Sequence, residues 1–270
     1  MLHFTMDGFH GYRSRLDDIR LVHELLEELP EALGLQPVMP PFLLPYYNGV
    51  HADDCGISAF LFLAGGHLTI HTFSVRECYF VDIVYPERFD TGLAGKLLNR
   101  TLPVNTIQTH SVDRFANMLH DRTYEPTRDF GPHLFLDITG YEGARDMNTL
   151  FDLFEGLPAR LDMTPIMRPY IISGETPSGD KVISAMTMIA ESHIALHVFP
   201  EANRAYFDIF SCRPFDQEAV MAELLQALKG SGIQSAIVPR GQLYTELRSS
   251  SEDDATRSNR WLRVIQGEDV

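Results

Sequence analysis

Four reactive residue types crowd one short stretch, AESHIALHVFPEANRAYFDIFSC, Ala190 to Cys212. Glu191 and Ser192 adjoin, His193 and His197 follow, and Cys212 closes the stretch. The apolar, β-branched residues between them read as a strand, a turn and a second strand. A serine close to a histidine first suggests hydrolysis by nucleophilic attack. The spacing argues against it. No G-x-S-x-G elbow is present, and Ser192 falls at the start of a strand rather than at a strand-to-helix turn. Another chemistry suits a serine in a tight, strained turn. Its hydroxyl can attack the preceding carbonyl, that of Glu191, to give an ester. Elimination then splits the chain between Glu191 and Ser192 and leaves a pyruvoyl group at position 192. That carbonyl can form a Schiff base with a substrate amine and act as an electron sink, as pyridoxal phosphate does. Such chemistry needs a base for processing and an acid to reprotonate the carbanion after carbon dioxide leaves.

The elements that must hold these groups emerge when the sequence is slid against itself. At a shift of 126 residues, Gly56 to Asp90 lies over Val182 to Asp216 without a gap. Ile57/Ile183, Ser58/Ser184, His67/His193, His71/His197, Phe73/Phe199, Asp82/Asp208 and Phe89/Phe215 coincide. Upstream, LPEALGLQPVMPPF matches LPARLDMTPIMRPY, and HFTMDGFHGY matches LFLDITGYEG. Three collinear blocks indicate a tandem duplication. Units of this size are domain-like and too long for solenoid repeats. The division reads as 1–128 for a first unit lacking the reactive serine, 129–247 for a second unit carrying it, and 248–270 for a mobile tail in which Trp261 and Leu262 have no evident place.

Each unit has the same order. A short strand (3–7; 134–138) leads to a helix (16–29; 148–157), whose apolar positions in the first unit recur as Ile19, Val22, Leu25 and Leu26. A Pro-rich stretch that cannot continue the helix comes next. Three apolar runs follow (57–63, 67–73 and 79–84; 182–189, 193–199 and 205–210), then a helix (91–99; 217–228) and a last strand (106–110; 234–238). Helices would cover one face of each sheet, leaving the other to be buried. The expected class is therefore α+β, an αββα sandwich built from two tandemly repeated β-α-β-β-β-α-β units.

The two copies differ where it matters. Copy two has Glu191-Ser192 and Cys212; copy one has Gly65-Gly66 and Pro86. Both keep the serine and histidine of Ser58/Ser184 and His71/His197. ESHIALHVFPE followed by DIFSC closely resembles the E-S-H-x-x-x-H-x-[WF]-P-E … D-x-F-[ST]-C signature of S-adenosylmethionine decarboxylase proenzymes. The resemblance implies that Ser192 forms the pyruvoyl cofactor and that Cys212, twenty residues on, donates the proton. It also implies that Ser184 and His197, eight before and five after Ser192, match the family's processing serine and histidine. In that family each site is shared between two units. By resemblance, the live site combines Ser192 and Cys212 with Ser58 and His71 of the first unit, while Ser184 and His197 face the worn site around Gly66 and Pro86. The ribose-contacting glutamate of the family is Glu201 in copy two but Val75 in copy one, where Glu77 is the nearby carboxylate. Ala52, beside His51, stands where the family has its adenine-stacking ring, and Phe73 and Phe199 stand where many members have tryptophan.

Composition sets the outer bounds. The 270 residues are 44% hydrophobic and 22% charged, ordinary for a globular protein. A net charge of −15 disfavours phosphate contacts, so nucleic acid and anionic membranes are not expected partners. No apolar run reaches the ~20 residues that span a bilayer, and the start lacks signal-peptide features, so a cytoplasmic location is expected. Cys55, Cys78 and Cys212 match no zinc spacing, so no metal is expected. A small-molecule substrate is the expected partner, and a homo-oligomer is left open. Three functional readings stand in order. The first is decarboxylation of S-adenosylmethionine for spermidine synthesis. The second is a pyruvoyl-dependent decarboxylase of arginine or ornithine. The third is a non-catalytic binding or regulatory relative.

Overall fold

The computed structural model describes residues 1–45, 52–116, 120–190 and 192–248. His51, Glu191, Trp261 and Leu262 lie outside the described residues, as does the tail beyond Arg248. The first half runs β1 (Leu2–Phe9), α1 (Arg13–Leu16), α2 (Ile19–Leu33), β2 (Phe42–Pro45), β3 (Ile57–Leu63), β4 (Gly66–Phe73), β5 (Cys78–Tyr85), α3 (Thr91–Thr101) and β6 (Thr106–Asp113). The second runs β7 (Gly131–Thr139), α4 (Met147–Arg160), β8 (Tyr170–Glu175), β9 (Lys181–Ile189), β10 (Ser192–Phe199), β11 (Arg204–Ser211), α5 (Gln217–Leu228) and β12 (Gly232–Arg240). The halves build separate six-stranded sheets of matching order, β2-β3-β4-β5-β1-β6 and β8-β9-β10-β11-β7-β12. All pairings between these strands are antiparallel. The αββα sandwich of two repeated units is thus the observed architecture, with one further edge strand, β2 or β8, in each half.

The helices differ from the sequence reading at their ends. Asp18 caps α2 by accepting from the Leu21 amide, so α2 starts three residues after the expected Leu16. Pro30 does not stop it. Pro30 lies inside the final turn and gives up one amide bond, and the helix ends at left-handed Gly34 (φ 68°). Pro158 likewise lies inside α4, which runs on to Arg160. Asp90, Asp146 and Asp216 cap α3, α4 and α5 in the same way. Duplication has thus preserved local helix chemistry as well as strand order.

Alternation along the strands sorts side chains into two environments. Leu68 and Ile70 of β4, and Val81 and Ile83 of β5, pack under the helices with Val22, Leu25, Leu26 and Leu98. Leu134, Leu196, Phe207 and Ile209 do the same in the second half with Leu150, Phe154 and Leu224. The residues between them in sequence point into the space between the sheets. That inner face is not purely apolar. Phe60, Phe62, Met186 and Met188 form one apolar cluster there, and Phe73, Cys78, Phe80, Phe130, Phe210, Cys212 and Tyr244 form another. Met1, Val84, Val182, Phe199 and Tyr206 form a third, and between these clusters lies a buried set of histidines, aspartates and arginines.

Candidate active site

Each sheet contributes one strand of inward-facing histidines. His67 and His71 lie on β4, and His193 and His197 on β10; none is more than 1% exposed. His71 Nε2 is 2.9 Å from His193 Nδ1, and His67 Nδ1 is 2.8 Å from His197 Nε2. β4 and β10 therefore cross in opposite directions, with the end of one over the start of the other. Within each sheet a serine reaches the outer nitrogen. Ser58 Oγ lies 3.0 Å from His71 Nδ1, and Ser184 Oγ lies 2.8 Å from His197 Nδ1. The result is two Ser–His–His chains, each spanning the sheet interface.

The crossing gives the sandwich two distinct ends. Ser192 begins β10, pairs with Ser211 of β11, and adjoins His193. Cys212 follows Ser211 directly. Across the interface are His71, Phe73 and Cys78 of the first half, with Phe73 opposite Cys78 in the β4–β5 register. Phe73 stacks edge-on against Phe130 at 5.2 Å, and Cys212 shares its apolar cluster. Ser58 and His71 belong to this end. The other end, about 23 Å away along β10, gathers Gly66, His197 and Ser184. Phe199 lies there, packed on Tyr206 at 5.7 Å. Glu201 lies in the turn after β10 and pairs with Lys181 at 3.1 Å, so it is remote from Ser192. Glu77 is at the Ser192 end, in the β4–β5 turn, and is held by Arg13 at 3.2 Å. Val75, aligned with Glu201, is 40% exposed.

Ser192 itself is unusual. It is 2% exposed, its hydroxyl has no hydrogen-bond partner among the described residues, and its φ is 152°. A non-glycine residue in that region stores roughly 1–3 kcal/mol of strain. At the matching position, a Cβ on Gly66 would sit 1.9 Å from the Val84 carbonyl oxygen. The first unit has no room for a side chain where the second holds its serine.

The sequence reading missed the ionic frame. Arg114, just beyond β6, crosses to the second half: its Nε donates to Asp137 at 2.7 Å and its Nη1 is 3.4 Å from Asp208. Arg240, ending β12, crosses the other way. It donates to Asp7 and Asp82 at 2.7 Å each and to His133 Nδ1 at 2.9 Å. The 126-residue offset relating these arginines was in the sequence, yet they fall outside the blocks that align without interruption. Burial alone would raise Asp82 and Asp208, but Arg240 and His133 beside Asp82, and His133 and His193 beside Asp208, hold both well below the usual carboxylate range. Burial pushes His67 and His71 well below their ordinary value and brings His133 and His197 down to about 3, so these rings are neutral. Burial also pushes the Cys78 thiol up, which suits it to packing rather than proton transfer.

Two trios, His3–Asp82–His133 and His67–His193–Asp208, bring ligand-type atoms within 4.8 Å of one another. The Arg240 guanidinium already occupies the cationic place in the first, and Arg114 stands beside Asp208 in the second. Both are better described as histidine–carboxylate networks neutralised by arginine. At the Cys212 end a further guanidinium, that of Arg76, lies 5.4 Å over Phe130, and it pairs with Asp54, which Arg213 also binds at 2.8 Å.

The family model and the curated relatives point to one family. The family described as S-adenosylmethionine decarboxylase matches twice, over residues 2–115 and 132–241. An S-adenosylmethionine decarboxylase proenzyme of Syntrophomonas wolfei is 27% identical over 119 residues, 41% of this chain and 90% of the relative. One from Thermoplasma acidophilum is 25% identical over 128 residues, 46% of this chain and 94% of the relative. These relatives have the length of one unit. A crystal structure of the adenosylmethionine decarboxylase from Aquifex aeolicus, 22% identical, covers 42% of this chain and 92% of that chain with a TM-score of 0.36. No helix among the described residues is long and apolar enough to cross a membrane.

Proposed function

The chain belongs to the S-adenosylmethionine decarboxylase family, and from that premise we propose that it is a pyruvoyl-dependent decarboxylase that matures by cutting itself between Glu191 and Ser192. Residues 129–247 are the cutting unit, and residues 1–128 have retired from cutting but still serve the site. The observation that carries this reading is Ser192: buried, strained at φ 152°, its hydroxyl unpartnered among the described residues, next in sequence to His193, which bonds His71, and paired in register with Ser211, which Cys212 follows. In the cut, Ser192 Oγ bonds to the Glu191 carbonyl carbon, the peptide C–N bond breaks, and the hydroxyl proton ends on the Ser192 nitrogen. His71 then takes the Cα proton, the Cβ–Oγ bond breaks, and Glu191 leaves as a carboxylate. Water replaces the nitrogen as ammonia to leave the pyruvoyl carbonyl. That carbonyl, once formed, condenses with a substrate amine and draws in the electrons released as carbon dioxide departs. Cys212 holds the proton returned to the substrate carbon, Ser58 hydrogen-bonds His71, and Phe73 supplies an apolar wall. Ser184 and His197 form the corresponding pair at the end without a cutting serine.

The substrate read first is S-adenosylmethionine, in the service of spermidine synthesis in the cytoplasm. The position of Val75 favours a second reading. It leaves the Ser192 end without the counterpart of Glu201, and Glu77 is engaged by Arg13. A compact amino acid such as arginine or ornithine needs no ribose contact.

The experiment is a denaturing intact mass of the purified protein. Two fragments meeting at Glu191/Ser192, the second beginning with a borohydride-reducible carbonyl, are expected. A single uncut chain, stable with time, would overturn the reading and leave a binding or regulatory relative. Release of labelled carbon dioxide from S-adenosylmethionine, arginine and ornithine then chooses the substrate.

A further inference from the structure

We propose that Asp208 is a positioning residue which, through His193, fixes His71 in the tautomer whose lone pair lies on Nδ1, the nitrogen bonded to Ser58. The inference rests on the reading of His71 as the processing base.

The proton positions follow from groups with no choice. A guanidinium only donates, so His133 Nδ1, 2.9 Å from Arg240 Nη1, accepts, and the proton of His133 is on Nε2. That N–H faces Asp208 Oδ2 at 3.6 Å. His193 Nε2 faces the same oxygen at 3.4 Å. His133 Nδ1 can keep its lone pair 3.5 Å from Asp82 because Arg240 donates to it; a lone pair aimed at a buried carboxylate without such a donor is repelled and an N–H attracted, so His193 carries its proton on Nε2. His193 Nδ1 must then accept, and at 2.9 Å the donor is His71 Nε2. The two rings lie 7° from coplanar with centroids 5.1 Å apart, as an edge-to-edge N–H···N bond requires. His71 Nδ1 is left with its lone pair and accepts from the Ser58 hydroxyl at 3.0 Å. A carboxylate two residues removed thereby decides which nitrogen of His71 is basic.

The mirror chain has a weaker anchor: a His67 ring nitrogen lies within 4.8 Å of the Asp208 carboxylate but forms no ion pair with it, whereas His193 Nε2 stands at 3.4 Å. Ser184, His197 and His67 are joined at 2.8 Å and 2.8 Å, and the chain ends at His67 Nε2, which like His193 Nε2 makes no hydrogen bond among the described residues but, unlike it, has no carboxylate of those residues within ion-pair distance. Asp82, the counterpart of Asp208, is committed elsewhere: Arg240 Nη1 holds it at 2.7 Å and His3 Nε2 at 3.1 Å. Arg114 approaches Asp208 only at 3.4 Å, leaving that carboxylate turned to the histidines.

The test pairs Asp208→Ala with Asp82→Ala, its matched control for loss of a buried carboxylate. In an uncut Ser192→Ala background, two-bond proton–nitrogen correlation spectra of histidine-labelled protein read the His71 tautomer, assigned by difference with His71→Gln. The Nε2–H form is expected in the parent and in Asp82→Ala, and its loss in Asp208→Ala. With Ser192 intact, self-cleavage of Asp208→Ala should slow roughly tenfold or more, while Asp82→Ala cuts at the parent rate. An Nδ1–H form in the parent, an unchanged tautomer in Asp208→Ala, or equal slowing by both variants would overturn the proposal. Asp208→Asn, which keeps the side-chain shape, stands in if the alanine variant fails to fold. The spectra need no cutting. A wild-type chain that never cleaves would therefore sink the pyruvoyl reading, while the spectra would still decide the tautomer and its dependence on Asp208.

Discussion

The two ends of the sandwich are built from equivalent residues and have diverged. Both have a serine bonded to a histidine, a second histidine across the interface, and a phenylalanine. One end adds Ser192, Cys212 and a carboxylate turned toward its histidines. The other has Gly66 and Pro86, and no carboxylate among the described residues within ion-pair distance of His67. The difference teaches how a shared site wears. Each end draws on both units, so on the proposed reading the first unit can lack a cutting serine and still be needed for Ser58 and His71. Ser184 and His197 face the end where glycine replaces the counterpart of Ser192, yet they too persist, buried and bonded. Burial explains that persistence, since removing one partner of a buried polar pair leaves the other unsatisfied at a cost of about 1–3 kcal/mol.

The sharpest way to break the comparison is to exchange its defining residues. Ser192→Ala should leave an uncut chain with no decarboxylase activity. Gly66→Ser should not create a second cut. Its Cβ would meet the Val84 carbonyl at 1.9 Å, so it should instead lower the melting temperature. A new fragment from Gly66→Ser on a denaturing gel would show the ends to be interchangeable. Next in size is the base. His71→Ala should slow processing about 10²–10⁴-fold, whereas His197→Ala should slow it far less. The reverse order, read from the half-time of cleavage, would mean that the second unit supplies its own base.

The ionic frame offers a smaller contrast. Arg240→Met leaves Asp7 and Asp82 buried and unpaired and should cost about 3–5 kcal/mol in urea unfolding. Arg114→Met should cost less, because its contact with Asp208 is 3.4 Å against 2.7 Å for Arg240 with Asp82. Equal losses would show that these distances do not report coupling. Last comes pH. His133 and His197 are lowered from 6.5 to about 3 by burial, so the unfolded chain binds protons that the folded chain refuses. Above pH 6.5 neither state is protonated at these rings, and stability is at its full value. As pH falls from 6.5 toward 3 each ring should remove about 1.4 kcal/mol per pH unit. A melting temperature flat between pH 7 and 5 would contradict neutral, buried rings.

Much of this was legible before any coordinates. The duplication, the strand order and the reactive pair at Glu191–Ser192 came from alignment of the halves and from local pattern. The edge strands β2 and β8 did not. They lie in Pro-rich stretches, and their pairing with β3 and β9 is a tertiary event with weak local signal. The ends of α2 were misjudged for a related reason, since burial of Pro30 against the core outweighs one missing amide bond. Arg114, Arg240, Asp7 and Asp137 were passed over because a charged residue in sequence ordinarily reads as surface. Only the sheet pairing shows that they meet, each arginine finding its aspartates on the opposite unit.

What the sequence determined by itself was the family and the number of units. An adjoining Glu–Ser, a cysteine in register and a repeat at 126 residues are local or self-referential facts, readable without a third dimension. What the tertiary structure decided was which copy of each residue serves which end. β4 and β10 cross in opposite directions, so His71 stands by His193 while His67 stands by His197. No spacing encodes that choice. It is fixed when two sheets bury their polar faces together, because hydrogen bonds and ion pairs withdrawn from water must then be completed by whatever the facing sheet presents.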